Sequence, residues 1–150
     1  MRLVAATAVV VCTLSLICAS APASGFGDNP IPLATLQAEA DRAQPKDKCF
    51  LYAQIVSRMT ELAGEQFNSG DSAKASETLK LVRRYAEKIH MDIPDDSKKL
   101  KDAELLMRRT SHRLEDLLGE AESEDRPALE TTLKQLNQVQ AQLMTEVFKK

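Results

Sequence analysis

From residue 33 onward, apolar side chains return every three or four positions, the period of an α-helix with one buried face. The two-residue alternation of a half-buried strand is missing. A short helix is predicted over Leu33–Ala43, with Leu33, Leu36 and Ala40 on one side. It stops before Gln44-Pro45, because proline disfavours helical geometry at the residue before it. The next helix is predicted from about Lys48 to Asn68, on a stripe of Cys49, Tyr52, Ile55, Val56, Met59, Leu62, Ala63 and Phe67. Asn68-Ser69-Gly70-Asp71 interrupts it: Gly70 suits a left-handed turn, and Asp71 or Ser72 can cap the next helix. That third helix carries Ala75, Leu79, Val82, Ala86 and Ile89, with Leu81 and Tyr85 beside the seam.

Ile93-Pro94-Asp95-Asp96-Ser97 is the second punctuation, where a proline stops one helix and acidic residues suit the start of another. Beyond it, Leu100, Ala103, Met107, Thr110, Leu114, Leu117 and Ala121 alternate steps of three and four, a short heptad seam. Ser123-Glu124-Asp125-Arg126-Pro127 opens the last helix, which presents Leu129, Leu133, Leu136, Leu143 and Val147, with Val139, Met144 and Phe148 flanking. Gln140 is expected to interrupt that seam and help fix its register. The fold class expected is all-α: a short N-terminal helix and two antiparallel helical hairpins, 48–92 and 95–149, in one domain over 33–150. They would pack as a four-helix bundle or an open stack, the C-terminal hairpin resembling a coiled coil.

The region before residue 33 reads differently. Arg2 precedes an uncharged apolar run from Leu3 to Ile17, and Ala21-Pro22-Ala23 supplies small residues after it. That order predicts a secretory signal peptide over 1–23, cut between Ala23 and Ser24, then a Gly- and Pro-rich linker over 24–32. The same run is long enough for an uncleaved membrane anchor, which is the alternative. Either way the protein is expected to be exported, to a periplasm or the extracellular space, with no further membrane span. Cleavage would remove Cys12 and Cys18 and leave Cys49, either a buried thiol or an intermolecular disulfide.

Composition narrows the function classes. A net charge of −2, with both signs interspersed, gives no general attraction to nucleic acid. Arg108, Arg109, His112 and Arg113 cluster within a turn and a half and could grip an acidic partner; Glu104, Glu115 and Asp116 nearby make a solvated, ion-paired face the alternative. His90, Asp92, Asp95 and Asp96 could offer ligands to a metal ion, but they also suit a helix end and a helix start. Serines lie outside nucleophile contexts, and five scattered glycines build no phosphate loop. No catalytic residue, cofactor or metal site is therefore expected, and the protein is read as a non-enzyme.

Leu62, Ala63, Gly70, Ala75, Leu79 and Val82 fall at the steps of a tetratricopeptide repeat, so residues 56–89 resemble a single hairpin of that family. Met59, Gln66 and Glu87 stand where that pattern prefers other residues, and no second copy is visible. The resemblance implies a protein-binding scaffold without chemistry of its own. The function expected is a protein–protein interaction or scaffold module of the cell envelope, its partner unknown. A self-assembling structural coiled coil and a small periplasmic metal or ligand sensor are the alternatives.

Overall fold

The computed structural model describes residues 31–91 and 98–149. The signal peptide expected over 1–23, most of the 24–32 linker, the 92–97 connection and the His90 side chain lie outside the described residues. Within them the chain is all-α. Five helices run in order, α1 (Leu33–Arg42), α2 (Pro45–Asn68), α3 (Ser72–Met91), α4 (Lys98–Glu120) and α5 (Arg126–Phe148). No strand occurs among the described residues.

The helix ends follow from local chemistry. α2 begins at Pro45, three residues earlier than the apolar stripe predicts, because proline is at home in a first turn where its missing N–H costs nothing. Its far end closes on Gly70, at φ 80°. The Asp71 N–H donates to the Gln66 carbonyl at 2.9 Å, which satisfies a carbonyl the helix leaves unpaired. Asp71 then turns to the next helix, its carboxylate accepting the Lys74 N–H at 3.3 Å as a cap. Asp125 holds the cap position of α5, and its carboxylate instead accepts the Ser72 hydroxyl at 2.8 Å, tying the two turns together.

The two hairpins lie side by side. α2 packs on α3 and α4, α5 packs on α3 and α4, and α3 and α4 sit across the diagonal without close approach among the described residues. Contacts between hairpins advance in step along both chains. Asp47 meets Lys99 and Glu61 meets Arg113, while Ser72 meets Asp125 and Arg83 meets Thr132. Like helices therefore run parallel, α2 with α4 and α3 with α5, and both tight turns fall at one end. Four helices thus close around one core, and α1 adds a partial fifth wall against α2 alone, burying Leu36 and Ala40.

The core is the heptad seams turned inward. Ala75, Leu79, Val82, Ala86 and Ile89 of α3 are fully buried, as are Ala103, Met107 and Leu114 of α4. Each buried Leu or Ile contributes roughly 1.5–3 kcal/mol relative to an exposed one. In α5 the seam differs from the pattern expected: it runs Leu129, Thr132, Leu136, Val139 and Leu143, leaving Leu133 and Val147 half-buried and Gln140 beside it. Thr132 conceals this unbroken heptad because its hydroxyl looks polar. The hydroxyl is satisfied locally, donating to the Ala128 carbonyl at 2.8 Å and accepting from Arg83 at 3.0 Å. On α2, Leu62 is 38% exposed and lies off the core.

Among the described residues, buried side-chain polar atoms are matched with one exception. Gln66 accepts the Thr78 hydroxyl at 2.7 Å, while Thr60 and Thr110 donate back to the carbonyls of Val56 and Leu106. Ser111 Oγ is buried with no hydrogen-bond partner among the described residues. Near the opposite end from the turns, the Lys88 ammonium lies 4.7 Å from the Tyr85 ring centroid and 5.4 Å from that of Tyr52, joining α2 to α3.

Candidate interaction surface

α4 carries the basic quartet on its outward side, and the quartet does not converge. Successive residues on a helix turn by about 100°, so Arg108, Arg109, His112 and Arg113 share an arc of about 140° but reach toward separate partners. Three of them already hold carboxylates. Arg108 donates through Nε and Nη2 to one oxygen of Glu104, at 3.2 and 2.7 Å. His112 Nδ1 lies 3.0 Å from Glu115. Arg113 crosses to α2 and donates to Glu61 at 2.5 Å. Arg109 is exposed and has no ion pair among the described residues.

Glu61 is the electrostatic centre of this seam. Burial pushes its carboxyl toward the neutral form, but hydrogen bonds from Arg58 and Arg113 outweigh that and hold its pKa below the ordinary glutamate value. Farther along the same junction, the hydrogen bond from Lys99 at 2.9 Å likewise draws Asp47 below the usual aspartate range. Lys99 and Arg113 therefore join α4 to α2, while Arg108 and His112 pair within α4 itself.

Beside this seam lies a groove that the apolar periodicity does not announce. α1 rests on one flank of α2 and the start of α4 on the other, enclosing about 620 Å³. Phe50, Leu51 and Ala38 give it apolar lining, while Arg42 and Lys99 bring cations and Glu39 and Asp47 anions. An aromatic at position 50, one step off the buried stripe, is the signal in the sequence that α2 has a second apolar edge. The groove's other wall depends on where α1 docks, which no local pattern encodes.

Cys49 is 1% exposed, inside the core rather than on a surface where a second chain could reach it. Among the described residues no group of three or more His, Cys, Asp or Glu is placed to hold a metal ion, and the His90, Asp92, Asp95, Asp96 set lies outside them. No helix there is long and apolar enough to cross a membrane. Comparison with protein-family models, with curated proteins and with solved structures finds no match to this chain.

Proposed function

We propose that this protein is a non-catalytic, exported interaction module that holds another protein in the groove between α1, α2 and α4. The groove supports this reading through its chemistry: an apolar floor at Phe50 and Leu51, with Arg42, Lys99, Glu39 and Asp47 around it. Such a mixture suits a peptide segment with one apolar anchor and charged neighbours better than a small polar metabolite, since a buried anchor supplies most of the binding energy at protein interfaces. Export rests on the apolar run from Leu3 to Ile17 and the small residues after it.

A photo-reactive residue in place of Phe50, expressed in the native cell, tests the reading. One discrete crosslink to another protein is expected. It should weaken when Leu51→Glu is added beside the probe, and it should be absent when the probe sits at Lys80 on α3. Equal, diffuse labelling from both positions would reject the groove as the binding face. Mass measurement of the purified chain tests export: loss of residues 1–23 is expected.

A further inference from the structure

α2 and α3 each expose one leucine, and the two stand together. Leu62 is 38% exposed and Leu81 is 40% exposed. The hydrogen bond from Thr78 to Gln66, 2.7 Å, fixes the antiparallel register of these helices. Four residues back from Gln66 is Leu62, and three residues on from Thr78 is Leu81, so both lie at nearly one level. Those steps turn each leucine by about 40–60° from the junction, away from the core. The pair is an apolar patch over the outer α2–α3 groove.

Seven residues before Leu62, and only about 20° round the same face of α2, Ile55 is fully buried. α1 accounts for the difference, since it packs against α2 alone. Only Ala43 and Gln44 separate α1 from α2, so α1 runs back antiparallel along it. Its 10 residues, about 15 Å, bring Leu33 level with the neighbourhood of Ile55. Leu62 lies about 10 Å farther on, past the N-terminal end of α1. The chain that precedes α1 therefore arrives beside the patch.

That preceding segment matches the patch in reach and in chemistry. Phe26 stands seven residues before Leu33, a span of roughly 23 Å when extended, about twice the distance required. Phe26 and Ile31 are its large apolar side chains, and Asp28 is its one charged side chain. On α3, Lys80, Arg84 and Lys88 form a row at steps of four beside Leu81. Lys80 is held by Glu77, and Lys88 lies over the Tyr52 and Tyr85 rings. Exposed Arg84 is the cation turned to an incoming acid. A chain leaving Leu33 passes Arg84 before Leu81, and in that direction it presents Asp28 before Phe26.

We propose that residues 24–32 fold back over the outer α2–α3 groove, with Phe26 seated on Leu62 and Leu81 and Asp28 paired with Arg84. A short tether holds such a segment at an effective concentration on the order of millimolar, so it outcompetes a second copy for a contact of this size. The contact also anchors the start of α1, one wall of the α1–α2–α4 groove. It is read on the chain alone, so it stands or falls independently of the partner proposed there.

The chain has no tryptophan, so Phe26→Trp introduces a single fluorescent reporter. In the purified chain its emission should be blue-shifted, and acrylamide should quench it less than the reporter introduced by Phe148→Trp, at a position 74% exposed. Leu62→Asp or Leu81→Asp, both at exposed positions, should shift the emission to the red and restore quenching to that of the exposed reference. Arg84→Glu should do so in part, and adding Asp28→Arg should reverse the loss. Emission as exposed as the reference from the start overturns the proposal. So does shielding indifferent to the leucine and arginine changes, which would seat the segment elsewhere, or shielding lost on dilution, which would give the patch to a second copy.

Discussion

α4 and α5 are neighbours of equal length, 23 residues each, yet they treat solvent in opposite ways. Their inward faces are alike: each presents an unbroken seam at steps of three and four. Outward they part. Eleven residues of α4 are Asp, Glu, Lys or Arg, against four of α5. Charges of α4 are engaged inside the molecule, Arg108 with Glu104 and Arg113 with Glu61. α5 has few to engage and exposes Met144 and Phe148 instead. A seam specifies a fold and leaves the opposite face free, so two helices can share the first and differ in the second.

The shared part of that contrast can be broken first. Leu114→Ala on α4 and Leu136→Ala on α5 should each cost about 2–5 kcal/mol in denaturant unfolding, because both side chains are fully buried and leave a cavity. A markedly smaller loss on either helix would mean the seams are not equivalent. Next in size is a gain. Ser111→Ala removes a buried hydroxyl that lacks a partner among the described residues and places a better helix former, so stability should rise by about 1 kcal/mol.

The ion pairs sharpen the contrast through pH. Glu61 has a folded pKa below its ordinary value of 4.5, so it binds its proton more weakly in the native state than in the unfolded chain. Its contribution is complete above about pH 4.5 and is lost as the pH falls through the depressed folded value. Arg113→Gln should therefore remove about 1 kcal/mol near neutrality and flatten the acid limb of a stability–pH profile. The smallest effects lie on the outer faces. Thr145→Lys on α5 and Asp116→Lys on α4, both at exposed positions, should each change monomer stability by less than about 0.5 kcal/mol.

Much of this architecture can be read from residue order, because apolar periodicity and turn chemistry are local. Gly70, Asp71 and the α3 and α4 seams stand where the pattern puts them. The α5 seam is obscured by Thr132, whose polarity is neutralised by a carbonyl one turn back and by Arg83 from another helix. Which helices become neighbours is harder to read. α2 meets α4 partly at Gly64, which packs against the Leu117 side chain and leaves no apolar signature. Around the quartet, the pairing of Glu104 with Arg108 follows from their spacing of four, whereas Glu61 and Arg113 are brought together only by the fold. The α1–α2–α4 groove is illegible for the same reason.

The most direct test of the contrast between the two outer faces is covalent footprinting of the full chain. Met144 and Phe148 on α5 should oxidise readily, carboxyl labelling should reach Glu115 and Asp116 on α4, and Met107 in the core should stay protected. Protection of Met144 and Phe148 equal to that of Met107 would contradict the account of the outer faces.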